Sequence, residues 1–316
     1  MLIVGGGISG AAVARDAALR GIPCVLVERG DFACGTSSFT SKLVHGGLRY
    51  LARMDLRTTR TSSVERDRLR RLDPNLLVEI PFLVCARRSP NGVAPWKLRA
   101  ALGLYSSLGR SGRRAGMLRR RSWATRVPDL DVDTISGVGL YRELQVDDAR
   151  LVLEIIKDAR RAGAVALNYT ELVHFRHCDR GRILGAVVRD QRSQRCFFIR
   201  TDTVVNTTGT NVDRVRQLAG RVGGRVRPAR GTHLVIGRHH LAVDAAVAFQ
   251  ARDGRNLFVC PYEEVFIIGT TDEFAEERDS PVPTEAEQNY LLGEMNSMFP
   301  KLNLGPSDVL SAWAGV

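Results

Sequence analysis

The chain opens on a short apolar run, Leu2-Ile3-Val4, that stops at three consecutive glycines. From Ser9 to Arg20 apolar residues recur at helical intervals, Gly21 stands where a helix would close, and Cys24 to Val27 is apolar again. This pattern predicts strand, tight turn, helix and buried second strand, a βαβ-type opening. Further on, Leu56, Val64, Leu69 and Leu72 stand at helical spacing among charges and predict an amphipathic connector over 56–72. Leu76 to Ile80 and Phe82 to Cys85 read as strand material and mark a crossing into a second lobe. Residues 151–161 predict a helix ended by Gly163, followed by strand-like runs at 164–167 and 170–173 and a two-stranded meander at 182–190 and 194–202. Thr203 to Gly209 predicts a buried strand ending in a glycine turn. Arg227 to Gly237 predicts a strand, and residues 256–260 and 265–269 predict a hairpin around 261–264. Thr284 and Glu287 form a capping box ahead of a helix with Tyr290, Leu291, Met295, Met298 and Phe299 at core spacing.

At 316 residues the chain can bury a large core in two lobes, and 44% hydrophobic with 25% charged residues describes an ordinary globular protein rather than a disordered one. No apolar run reaches the roughly 20 residues that span a bilayer, and the first residues lead into glycines rather than a signal peptide, so membrane contact is expected to be peripheral. The six cysteines have neither CxxC spacing nor zinc-type histidine partners; no metal site is expected, and a reducing compartment is.

A net charge of +12 points to nucleic acid, a membrane surface or an anionic substrate. Only four of the 46 basic residues are lysine, however, and the arginines are spread throughout, which compositional bias explains as simply. The densest run, Gly109 to Arg126 with Trp123 inside it, reads either as a contact for anionic lipid headgroups or as a solvated surface loop, and the loop reading is favoured. No nucleic-acid module accompanies it, so no nucleic-acid partner is expected.

Candidate chemistry begins at the first turn. Gly5, Gly7 and Gly10 have GxGxxG spacing, in which the first glycine makes the turn, the second lets a pyrophosphate approach the backbone and the third lets helix and strand pack closely. The helix N-terminus behind them presents free N–H groups to phosphate. Glu28 ends the second strand, 18 residues after Gly10, where a carboxylate can accept from ribose hydroxyls. An acid there selects an unphosphorylated ribose, hence NAD or FAD.

The polar loop beyond Glu28 leads into Thr36 to Leu51, TSSFTSKLVHGGLRYL. This run resembles the FAD-dependent glycerol-3-phosphate dehydrogenase family, within the D-amino-acid-oxidase-like flavoproteins. The likeness continues through Val146-Asp147-Asp148-Ala149-Arg150-Leu151, Arg230-Gly231-Thr232-His233 and Ile268-Gly269-Thr270-Thr271-Asp272 to Trp313-Ala314-Gly315-Val316, covering essentially the whole chain. One departure stands at Thr207-Thr208-Gly209-Thr210-Asn211, where the family commonly has Ala-Thr-Gly-Pro-Trp.

The resemblance implies an α/β fold, α+β overall, in which a Rossmann-like FAD-binding domain (1–80 and 145–226) is interleaved with an antiparallel-sheet substrate domain (81–144 and 227–302), with 303–316 starting back to the first. It implies FAD held by Gly5, Gly7, Ile8, Ser9, Gly10, Glu28, Arg29, Thr36, Ser37, Ser38, Ser41, Lys42, Leu43, His45, Gly46, Gly47, Leu172, Thr208 and Gly209. Gly46 and Gly47 are expected to let a planar ring approach the main chain. Taken singly, Lys42 also reads as a solvated loop lysine, His45 as a structural histidine and Tyr50 as core packing. The implied reaction converts sn-glycerol 3-phosphate to dihydroxyacetone phosphate, with Arg49 on the phosphate, His233 as proton acceptor, Thr270 and Asp272 orienting the substrate and Tyr50 closing the pocket. Electrons then pass to a quinone or to oxygen, from a cytoplasmic protein or one bound peripherally to the cytoplasmic face of the inner membrane; a homodimer is left open. The alternatives are a D-amino-acid or 2-hydroxyacid oxidase on the same scaffold, or an inactive flavin-binding fragment. The fragment reading arises because the family's sequences continue past Gly315-Val316 with an Arg-Pro-Leu segment, so a truncated chain with weak flavin retention is expected.

Overall fold

The structure, a computed structural model, describes all residues except 52–53, 89–91, 109–114 and 276–280, and excepting also the side chain of Arg49. The apolar opening forms the strand Leu2–Val4, the centre of a four-stranded parallel sheet ordered Val204–Asn206, Leu2–Val4, Val25–Val27, Val165–Leu167. The helices Ile8–Leu19 and Asp148–Arg161 pack against each other on one face of this sheet. Their shared core has Ala11, Ala14 and Ala18 from the first helix and Val152, Ile156 and Ala159 from the second, and the small alanines let the two helices approach closely. Gly21, at φ +73°, ends the first helix. On the other face lies a three-stranded antiparallel sheet, Thr170–His177, Ile183–Asp190 and Cys196–Arg200, which buries Leu172, Phe175 and Val188 against Leu2 and Val4.

The second layer is a ten-stranded sheet built around Leu77–Arg87, Ile135–Val146, Ala229–Gly237, Ala246–Gln250, Asn256–Tyr262, Val265–Gly269 and Val309–Gly315. It is antiparallel apart from one parallel pairing, Ala246–Ala248 on Phe82–Val84. The capped helix Glu285–Met298 covers one face through Leu291, Leu292, Met295 and Met298, and the helix Pro95–Leu108 covers the other through Leu98, Leu102 and Tyr105.

Three expectations change. The crossings placed at residues 80 and 144 fall inside single strands, Leu77–Arg87 and Ile135–Val146. Pro81 does not interrupt the first of these, because the parallel partner begins only at Phe82 and the proline lies at the margin of that ladder. In the helix Leu56–Leu72 the buried side is polar, Thr59, Ser63 and Arg66, while Leu56 and Leu72 are exposed. Finally, the part of the basic run within the described residues is not a solvated loop: Gly116–Leu118 is a strand, Arg120–Arg126 a helix, and Trp123 is buried in the core of the large sheet. The rest of that run, 109–114, lies outside the described residues. Among the described residues no helix is long and apolar enough to cross a membrane.

Candidate functional site

The glycine turn has the conformation its residues permit. Gly5 has φ +107°, and a Cβ there would lie 2.6 Å from the Thr207 carbonyl oxygen; a Cβ on Gly10 would come within 1.9 Å of the Gly5 carbonyl oxygen. Only glycines let the helix start this close to the strand. Ser37 stands at that helix start, its Oγ accepting from the Ile8 N–H at 3.0 Å. Glu28, at the end of the neighbouring strand, is fixed by two backbone donors, with Oε2 accepting from the Gly6 N–H (2.7 Å) and Oε1 from the Gly30 N–H (2.9 Å).

These elements open on a cavity of about 1020 Å³, at the upper end of the ~300–1,000 Å³ usual for cofactor sites. Gly5, Gly7, Ile8 and Ser9 wall it at the helix start, and Glu28 and Arg29 at the next strand end. Thr36, Ser37, Leu43 and His45 come from the loop, Leu172 from the antiparallel sheet, and Thr208 and Gly209 from the turn after Val204–Asn206. Gly10, Ser38, Ser41, Lys42, Gly46 and Gly47 are not among its walls.

All 316 residues match the family described as FAD dependent oxidoreductase. The chain belongs to that family. It is 38% identical, over its full length, to an alpha-glycerophosphate oxidase of Streptococcus pyogenes serotype M1, of which it covers 53%. It is 34% identical to an aerobic glycerol-3-phosphate dehydrogenase of Staphylococcus aureus strain USA300, of which it covers 58%. Among solved structures, the glycerol-3-phosphate dehydrogenase from Bacillus halodurans complexed with FAD superposes with a TM-score of 0.82 at 34% identity, over 99% of this chain and 55% of that one. The chain thus spans little more than half the length of these relatives.

For an FAD-dependent fold, the cavity has the right parts. The helix start would meet a pyrophosphate with the N–H groups that Ser37, which already takes the Ile8 N–H, does not occupy, and the carboxylate of Glu28 keeps lone pairs that would suit ribose hydroxyls beyond the two backbone bonds it accepts. The volume suits a dinucleotide.

The cationic loop makes mainly protein contacts. Thr36 Oγ1 donates to the Val316 carbonyl at 2.6 Å, and Ser38 Oγ to the Ala33 carbonyl at 2.5 Å. Lys42, at φ +57°, donates through Nζ to Asp148 Oδ1 and to the Ser38 carbonyl, so it is neither a solvated loop lysine nor part of the cavity wall. Asp148 also accepts from the Thr40 N–H and hydroxyl, locking the loop onto the helix Asp148–Arg161. Gly46 has a packing reason to be glycine: a Cβ there would lie 1.9 Å from the Tyr105 hydroxyl and 2.1 Å from Arg66 Nη1. Gly47, at φ +90°, packs against Thr59 and Ser62.

His233 is buried, with Nε2 2.9 Å from Ser41 Oγ and its ring among Phe258 and Trp313. Burial first, then the Lys42 ammonium, lowers its pKa to about 4 against the opposing pull of Asp148 and the Gly231 backbone. It is therefore a free base at neutral pH. It does not wall the large cavity, but its cross-strand partner Trp313 immediately precedes the wall residue Ala314. Thr270 is on the edge of the same strand system, donating to the Thr271 carbonyl, whereas Asp272 is exposed. Tyr50 is half-buried in the short helix Leu48–Leu51, which also carries the backbone of Arg49; the Arg49 side chain lies outside the described residues.

The structure thus brings Ser41, Lys42 and His233 together with three residues given no role from sequence, Asp148, Phe258 and Trp313. Asp148 and Trp313 stood inside recognised blocks, but only the fold brings both to Lys42. Glu143, Arg66 and Glu287 carried no signal for a site, since a lone charge in a strand or helix reads as surface.

Proposed function

We propose that this protein oxidises sn-glycerol 3-phosphate to dihydroxyacetone phosphate. The observation that carries this reading is a neutral, buried His233 held by Ser41 beside the cavity wall, in a chain of the FAD-dependent oxidoreductase family whose relatives are named for glycerol 3-phosphate. Bound FAD supplies the acceptor for the hydrogen and electron pair leaving the substrate's C2. His233 takes the proton of the C2 hydroxyl, for which an unprotonated imidazole is the required form. Arg49 pairs with the phosphate, Tyr50 closes over the substrate, and Thr270 and Asp272 orient its hydroxyls. Gly5, Gly7, Ile8 and Ser9 line the pyrophosphate site, with the Ile8 N–H held by Ser37, and Glu28 takes the ribose.

Quinone is the proposed electron acceptor, with peripheral docking on the membrane. The oxidase name of one relative favours oxygen as the alternative. Anaerobic addition of glycerol 3-phosphate should bleach the flavin absorption of the FAD-loaded protein, while lactate and D-alanine leave it unchanged. Bleaching by either of the latter, with none by glycerol 3-phosphate, assigns the site to a carboxylate substrate instead. Reoxidation by a quinone analogue but not by oxygen separates the two acceptors.

A further inference from the structure

The polar face of the helix Leu56–Leu72 has a target. Thr59, Ser63 and Arg66, at spacings that put them on one side of a helix, face the backbone of the glycine pair. Ser63 Oγ donates to the Gly46 carbonyl at 2.6 Å, while Thr59 Oγ1 donates chiefly to the Asp55 carbonyl at 2.7 Å and lies 3.3 Å from the Gly47 carbonyl. From the opposite direction, both carboxylate oxygens of Glu143 accept from the Gly46 N–H, at 3.0 and 2.8 Å. Arg66 Nη1 then donates to Glu143 Oε2 (3.3 Å) and to the Tyr105 hydroxyl (2.6 Å), filling the space where a Gly46 side chain would be. Glu143 and Arg66 are 1% and 4% exposed, so this is a buried ion pair on a main-chain peptide.

A buried ion pair is weak evidence for stability, because desolvation cancels much of the attraction; its better-attested use is to specify one conformation. Here the conformation specified belongs to a segment with cavity and proposed substrate residues on both sides. His45, immediately before, walls the cavity, and the helix Leu48–Leu51 with Arg49 and Tyr50 begins directly after Gly47.

We infer that Glu143, Ser63 and Arg66 are positioning residues, a clamp on the Gly46 peptide that holds His45 toward the cofactor and sets where the helix Leu48–Leu51, with Tyr50, begins on the substrate side. This rests on the reading of the cavity as the FAD site of a glycerol 3-phosphate oxidising enzyme. Burial pushes the Glu143 carboxyl up to about 7, against the pull of Arg66 and the Gly46 N–H, so the clamp holds its charge only while those partners stay in place.

Three variants test it, each measured for thermal midpoint, FAD Kd by flavin fluorescence, and kcat and KM for glycerol 3-phosphate. Ser63→Ala removes one jaw with little change in volume. The double variant Arg66→Met/Glu143→Gln discards both charges but keeps an amide oxygen for the Gly46 N–H, whereas Arg66→Met/Glu143→Leu discards the acceptor too. Residues that hydrogen-bond metal ligands are worth about 10–100-fold, and the same scale is taken for groups that hold the Gly46 peptide. Ser63→Ala is therefore expected to weaken FAD binding or kcat/KM by roughly 10-fold, the Leu double variant by up to about 100-fold, and the Gln double variant to recover most of that loss. Wild-type Kd and kcat/KM in Ser63→Ala, or indistinguishable Gln and Leu double variants, overturn the inference and leave the network a packing feature. Should the Leu variant not fold, Ser63→Ala and the Gln variant still decide. Failure of the unmodified protein to bind FAD or to be reduced by glycerol 3-phosphate would strike the parent reading instead.

Discussion

The imidazole of His233 lies face to face with the indole of Trp313, ring centroids 5.4 Å apart and planes inclined by only 16°. The two are cross-strand partners of Ala229–Gly237 and Val309–Gly315, so the sheet register itself stacks them. Phe258 adds a second aromatic neighbour at 6.1 Å, and the Lys42 ammonium lies 5.9 Å from the indole ring centre. A histidine so enclosed by apolar surface, with a cation nearby, loses its proton easily.

Lys42 and Asp148 are the charged groups facing His233, one lowering and one raising its pKa. Replacing Lys42 by methionine removes the cation and leaves Asp148 without its ammonium partner, and both changes favour the imidazolium. The acid limb of flavin reduction by glycerol 3-phosphate should therefore lie near pH 4 in the unmodified protein and move upward in Lys42→Met, stopping short of about 6.5, the ordinary histidine value, because burial, the larger cause, remains. Stopped-flow reduction rates between these limits measure it. An unmoved limb means that another group supplies the base.

Gly10 tests the dinucleotide turn. An alanine there drives a Cβ to 1.9 Å from the Gly5 carbonyl oxygen and 2.8 Å from Thr207 Oγ1, and backbone cannot rotate away as a side chain can. Gly10→Ala should displace the start of the helix Ile8–Leu19, at a cost of about 1–3 kcal/mol, and abolish FAD retention in gel filtration. Stoichiometric flavin in the variant would show that the helix start does not receive the pyrophosphate.

The βαβ opening was legible because each of its devices is local: an apolar triplet, glycines at fixed spacing, a glycine stop, an acid at the next strand end. The capping box of Thr284 and Glu287 was legible for the same reason, and it forms as read. The helix 56–72 shows where such reading stops. It is a helix and Leu69 does pack against Leu77, Leu144 and Val146, but its most buried side is Thr59, Ser63 and Arg66, held by polar partners and not by apolar neighbours. Hydrophobic periodicity finds a buried face only when burial is driven by apolar area. The Lys42–Asp148 pair, 106 residues apart in sequence, and the Gly46–Glu143 contact, 97 apart, are products of topology and leave no trace in spacing.

Glu28 is held by the Gly6 and Gly30 N–H groups before any ligand arrives. Glu28→Gln keeps one acceptor oxygen but loses the charge, so FAD Kd should rise about 10-fold, the scale of one charge-assisted hydrogen bond. Fluorescence titration reads this directly, and an unchanged Kd would remove Glu28 from the ribose site.

Glu287 makes acid stability a test of how the substrate-side sheet is tied to its covering helix. Its carboxylate caps its own helix through Thr284, accepts from the Thr271 hydroxyl at 2.9 Å and pairs with Arg230 at 3.0 Å, while Thr271 Oγ1 in turn accepts from the Thr232 N–H, next to His233. Burial alone would raise its pKa, but the Thr284 N–H and hydroxyl, Arg230 and Thr271 together lower it from 4.5 to about 2. Between those values the unfolded chain binds the proton that the folded chain refuses, so stability rises with pH across the window and is lost as pH falls through it. The contribution is of order 3 kcal/mol, fully present above about pH 4.5. Glu287→Gln should lower the urea midpoint at pH 7 and show a shallower loss of stability between pH 4.5 and 2 than the unmodified protein. Equal slopes in the two proteins would place the acid sensitivity on other carboxylates.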